Sequence, residues 1–156
     1  MRAVPVIALI PTAARGAAEE VKRHRMPGSD LPVAMAVEVP AGATVVHLSG
    51  ATPTLRPDGS YGDTRTQTRG ALRSLEDMLR RLGLDLGDVV RMQAFLVGDP
   101  AQDGRMDSAG FLAAYREFFG TSAQPNLPAR TVVQVAGLAD PRLLVEIEVS
   151  AARSRR

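Results

Sequence analysis

Two short runs near the C-terminus gather the residues best suited to chemistry: Pro128-Ala129-Arg130-Thr131-Val132-Val133-Gln134-Val135 and Leu143-Leu144-Val145-Glu146-Ile147-Glu148-Val149. Read with a period of two, they predict a hairpin with Arg130, Gln134, Glu146 and Glu148 on one face and Val133, Val135, Val145, Ile147 and Val149 on the other. A turn near Leu138-Ala139 would set Arg130 opposite Glu146 or Glu148. A guanidinium beside two carboxylates can hold a small carboxylate ligand and activate a water next to it. The same pattern also describes an ordinary cross-strand ion pair worth about 0.2–1 kcal/mol, and structural ion pairs outnumber active sites. Val132 and Leu144 fall between the charges, and a face mixing apolar residues with charges predicts burial against another subunit.

Few other residues compete for a chemical role. The chain has no cysteine, which excludes disulfides, thiolate zinc sites and cysteine nucleophiles. Its two histidines, His24 and His47, lie in separate segments without HxH, HxxxH or HExxH spacing, so no metal site is expected. No GxSxG elbow supports a serine nucleophile. Nineteen basic against seventeen acidic residues leave a net charge of +2, with the basic excess at Lys22-Arg23-His24-Arg25 and Arg153-Ser154-Arg155-Arg156. With aromatics at 4%, that balance disfavours a dedicated nucleic-acid binder.

The elements that must position Arg130 and Glu146 can be read upstream. Val33 to Val39 and Thr44 to Ser49 are β-branched-rich runs around the turn Pro40-Ala41-Gly42-Ala43, which predicts a strand pair. Asp63 caps a helix with Leu72, Leu75, Leu79 and Leu82 on one face and Gly83 at its end. Asp88 to Val97 reads as a central strand. Asp107 or Ser108 starts a second helix carrying Phe111, Tyr115 and Phe118 as core residues, with Gly120 closing it. This order predicts an α+β two-layer sandwich: one mixed sheet with both helices on a single face.

At 156 residues and 45% hydrophobic, the chain suits one domain. The expected division is an extension over 1–26, a domain over 27–152 and a basic tail over 153–156. Arg2, the apolar run Ala3 to Ile10 and the small residues up to Ala18 resemble a secretory signal cleaved after Ala18. Pro5, Pro11 and Arg15 speak against it, and the run is too short to span a bilayer. The cytoplasm is therefore the expected compartment, with a periplasmic or secreted location following if 1–18 acts as a signal.

Pro128-Ala129-Arg130 leading into an alternating strand, then Leu144-Val145-Glu146-Ile147-Glu148, closely resembles the end of the Rid family (YjgF/YER057c/UK114), the reactive intermediate deaminases formerly called endoribonuclease L-PSP. The likeness continues through Ser49-Gly50, Gly62-Asp63-Thr64 with Gln67-Thr68, Gly87-Asp88-Val89-Val90 before Phe95-Leu96, and Tyr115 with Phe118-Phe119. It runs from Pro27 to Ala151.

The resemblance implies a chorismate-mutase-like fold, a barrel-shaped homotrimer with ligand clefts between subunits, and no cofactor. It implies hydrolysis of enamines and imines, such as 2-iminobutanoate and 2-iminopropanoate, to 2-oxo acids and ammonia. Arg130 matches the arginine that grips the substrate carboxylate, Glu146 the glutamate that holds the attacking water, and Gly50 a glycine lining the cleft. Val33, Ala51, Val132 and Tyr115 are expected to line the cleft as well. Val33 stands where relatives carry tyrosine, Ala51 where glutamine is common, Val132 where cysteine is frequent, and Leu112 near a frequent asparagine. These departures predict a more apolar pocket. The alternatives are a non-catalytic or regulatory carboxylate-binding trimer and an endoribonuclease.

Overall fold

The computed structural model describes residues 20–154, so the signal-like stretch 1–18 lies outside the described residues. Six strands form one mixed sheet: β1 (Lys22–Arg25), β2 (Ala34–Glu38), β3 (Thr44–Ala51), β4 (Val89–Val97), β5 (Ala129–Val135) and β6 (Val145–Arg153). Their spatial order is β1-β2-β5-β4-β6-β3. Two helices, α1 (Thr64–Arg81) and α2 (Ser108–Tyr115), make the second layer. The expected α+β architecture, with a central β4, is observed.

Local chemistry explains α1. The Asp63 side chain accepts from Thr66 N at 2.8 Å, satisfying one of the free N–H groups of the first turn. Gln67, Thr68, Ala71, Leu72, Leu75 and Leu79 are buried at helical spacing against the sheet. Leu82 is not part of that stripe: it is the C-cap and 49% exposed. Gly83 ends the helix at φ +69°, its N–H bonded to Arg80 O while Leu84 N bonds to Leu79 O. Single exposed leucines of this kind need no further cause.

Strand pairing departs from the sequence reading in two places. β2 and β3 do not pair: β2 lies between β1 and β5, while β3 forms the opposite edge against β6. The predicted turn exists, with Ala43 N bonded to Pro40 O, but it sends the chain to the far edge instead of folding it back. β5 and β6 do not form a hairpin either, because β4 lies between them, parallel to β5 and antiparallel to β6.

That insertion changes which residues share a face. Met92 is the partner of Arg130 on one side and of Val149 on the other, so even positions of β5 share a face with odd positions of β6. Val145, Ile147, Val149 and Ala151 of β6 are buried under the helices with Met92, Ala94 and Leu96 of β4. Arg130, Val132 and Gln134 therefore point to the helix side. Glu146 and Glu148 point to the uncovered side, opposite Phe95 and Gln93. Arg130 is opposite neither glutamate.

Candidate functional site

Arg130 is carried into the molecule by the chain entry to β5. Ala34 N donates to Pro128 O at 3.0 Å, and Ala129 is registered with Ala34 on one side and Arg91 on the other. From this anchored position the Arg130 guanidinium carbon sits over the ring of Tyr115, 4.2 Å from its centroid, and 5.3 Å from that of Phe111. Both rings belong to α2, and they continue in a column: Phe111 to Tyr115 at 6.0 Å, then Tyr115 to Phe119 at 4.8 Å with 11° between planes. Such cation–ring contacts stabilise a partly desolvated guanidinium, though less than a carboxylate does.

No carboxylate is supplied. Arg130 has no carboxylate partner among the described residues; its buried Nη1 and the buried Tyr115 hydroxyl make no hydrogen bond of good geometry, yet the two groups lie near enough to shift each other's pKa. Burial lowers the Arg130 pKa from its ordinary value, an effect opposed by Tyr115. Burial likewise raises the Tyr115 phenol, against the pull of the Arg130 charge. The arginine borders a groove of about 450 Å³ whose walls include Leu31, Val33, Met35 and Val132. A desolvated cation at the edge of a groove that mixes these apolar walls with Arg91 and Thr131 suits a small organic anion.

Glu146 is positioned by a different set of bonds. The buried Gln67 of α1 accepts from Leu144 N at 2.7 Å and donates to Arg142 O and Gly62 O, which fixes the chain two residues before Glu146. Glu146 then leaves β6 on the uncovered face, where its side chain lies across Gly50 of β3. A Cβ at Gly50 would overlap the carboxylate and come within 2.7 Å of the Glu146 Cδ. The glycine thus leaves the space that the carboxylate occupies. Glu146 has no ion pair or hydrogen bond among the described residues.

The residues singled out from the sequence fall into two groups. Arg130, Tyr115, Val33 and Val132 gather at the β2–β5 side, with Tyr115 wholly buried beneath the arginine and not itself a wall of the groove. Glu146 and Gly50 form the second group, while Ala51 is 4% exposed and turned into the core. Leu112 and Val132 pack against that core. Gln134 accepts from Met106 N and donates to Gly104 O, bracing the loop into α2. Glu148 borders a small pocket with His47, whose ring lies 2.9 Å from the Ser150 hydroxyl.

Sequence reading missed Gln67 as a positioning group and Phe119 as part of the ring column; Phe118 is only half-buried. A signal for the column was present, since Phe111, Tyr115 and Phe119 recur every four residues. Within one chain the cation and the carboxylate point to opposite faces of the sheet, so a single copy does not bring them to one ligand.

Comparison with known proteins places this geometry among relatives. The family model described as endoribonuclease L-PSP matches residues 34–153. A candidate reactive intermediate deaminase, TdcF of Escherichia coli, is 29% identical over 135 residues, covering 86% of this chain and 96% of that one. The crystal structure of E. coli TdcF with bound serine aligns at 30% identity and a TM-score of 0.59, covering 87% of this chain and 99% of that one. The crystal structure of the E. coli YjgF gene product aligns at 32% identity and a TM-score of 0.57, covering 76% and 85%.

Proposed function

This chain belongs to the endoribonuclease L-PSP family, the Rid proteins, and on that premise we propose that it hydrolyses small 2-imino acids to 2-oxo acids and ammonia. The reaction would take place in clefts between the subunits of a homotrimer, where Arg130 of one copy faces Glu146 of the next. The observation that carries this reading is the Arg130 guanidinium, held over two rings and given no carboxylate by its own fold. A TdcF structure with bound serine supports the class of ligand, because serine presents a carboxylate beside an amino carbon.

Arg130 would clamp the substrate carboxylate, its planar fork matching two oxygens. Glu146 would accept a hydrogen bond from a water and turn its lone pair toward the imine carbon. As the O–C bond forms, the C=N π pair moves to nitrogen, and Glu146 takes one proton of the water and passes it there, giving a carbinolamine. The carbinol O–H proton then passes through Glu146 to the amine as the C–N bond breaks, so ammonia leaves and the oxygen becomes the 2-oxo group. No electrons are gained or lost, so the step needs only water. The apolar walls at Leu31, Val33, Met35 and Val132 favour substrates with an aliphatic side chain, such as 2-iminobutanoate over 2-iminopropanoate.

The test is a coupled assay with both imines generated freshly in the cuvette. Accelerated release of 2-oxo acid by the wild type, lost in Arg130→Ala, is the expected result. Wild-type protein that binds the 2-oxo acid but leaves imine decay unchanged would point to a carboxylate-binding trimer without hydrolysis.

A further inference from the structure

Tyr115 is wholly buried at the middle of the ring column. What distinguishes this ring is its neighbour, because the Arg130 guanidinium lies directly over it. Phe111 approaches the same cation more distantly, and Phe119 stacks on Tyr115.

We propose that Tyr115 is the positioning residue of the site: its ring, stiffened by Phe111 and Phe119, is a shelf that fixes the Arg130 guanidinium and turns one edge of it to the groove. The inference rests on the reading of Arg130 as the carboxylate clamp. Its geometric basis is the unequal treatment of the guanidinium nitrogens. Nη1 is buried without a partner, a state that Nε and Nη2 do not share. Arg130 is one of the residues lining the groove, and with Nη1 buried the Nε–Nη2 edge is the one left for a ligand there. Two parallel N–H groups on one edge match the two oxygens of a carboxylate.

Fixing the fork in advance also lowers the ordering cost of binding, since a free arginine side chain would have to surrender its rotamers at that moment. The shelf leaves those donors unspent, because the contact uses the ring's π face and the flat side of the cation. A carboxylate in place of the ring would hold Arg130 as firmly but would occupy the same donors. An aliphatic residue would fill the volume without holding the charge.

The experiment compares binding of 2-oxobutanoate and its uncharged amide by calorimetry in the intact protein. Tyr115→Leu should weaken 2-oxobutanoate about tenfold while leaving the amide unchanged. Tyr115→Phe, which keeps the ring, should match the wild type in both. Phe111→Leu should move the charged ligand alone and by less, about threefold. Equal loss of both ligands in Tyr115→Leu, or no loss in either, overturns the shelf, and so does a Tyr115→Phe variant that loses the charged ligand selectively. If Tyr115→Leu does not fold, Phe111→Leu decides: a selective loss supports the shelf and an unchanged preference overturns it. Wild-type protein that does not bind 2-oxobutanoate, or Arg130→Ala that binds it equally well, removes the clamp reading itself.

Discussion

Two arginine arrangements meet near the end of α2 and are provisioned in opposite ways. Two residues beyond Tyr115, Glu117 receives a two-pronged contact from Arg69, with Nε and Nη2 at 2.8 and 2.7 Å, and a third bond from Arg65 at 2.9 Å. Hydrogen bonds from Arg69 and then Arg65 hold the Glu117 carboxyl at about 2, below the ordinary 4.5. Those arginines join α1 to the segment after α2, and their charges are answered within the chain. Arg130 is more deeply enclosed, yet it is answered only by ring faces. The Arg65 and Arg69 charges are closed by a carboxylate within the chain, whereas no carboxylate of the described residues closes Arg130.

Substitutions should separate the two arrangements by the sign of their effect on stability. The largest difference is expected for Arg130→Met, which should reduce imine hydrolysis at least about a hundredfold. It should not lower the melting temperature, because it removes a buried donor that has no partner. Steady-state kinetics and a thermal melt on the same sample check both halves. A marked loss of stability would place Arg130 with the structural arginines instead.

A smaller effect is expected at Gly50→Ala. The added methyl would displace the Glu146 carboxylate, the flexible end of a side chain, so the fold should tolerate it. Turnover should fall by about tenfold with the melting temperature nearly constant, reflecting a misplaced water partner. An unchanged rate would mean that the position of Glu146 over Gly50 is immaterial.

The smallest effect belongs to the closed arrangement. Glu117→Gln should cost about 1 kcal/mol or less, because Arg69 and Glu117 remain about a third exposed and solvent screens them. Its melting temperature should drop by about 2–4 °C at most, with turnover unchanged. Since the folded-state pKa is depressed, this contribution is present above pH 4.5 and is lost as the pH falls toward about 2. Melts of wild type and variant should therefore converge across that window. A gap that persisted below pH 2 would show that the lost stability was not electrostatic.

Local features were readable from the sequence, while the meeting of distant strands was not. Asp63, the Leu72, Leu75, Leu79 spacing and Gly83 each act within a few residues, and α1 forms where they predict. The alternation in β5 and β6 is equally real, but alternation says only which residues of one strand share a face. Assigning faces across strands required knowing that β4 intervenes, and its parallel register reverses the expected phase. The predicted cluster of Arg130 with Glu146 and Glu148 failed for that reason. Gln134 carried no local sign of its bond to the loop before α2, some thirty residues away. The Phe118 position misled because α2 ends at Tyr115, and the following turns bring Phe119 onto the column instead.

The central claim is that one copy supplies the cation and another the carboxylate, and subunit mixing tests it most directly. Arg130→Ala and Glu146→Ala should each be inactive alone, then regain about a quarter of wild-type turnover after being unfolded and refolded together in equal amounts, as random assortment in a ring requires. A mixture as inactive as its components, under conditions where hybrids are seen to form, would contradict a shared site.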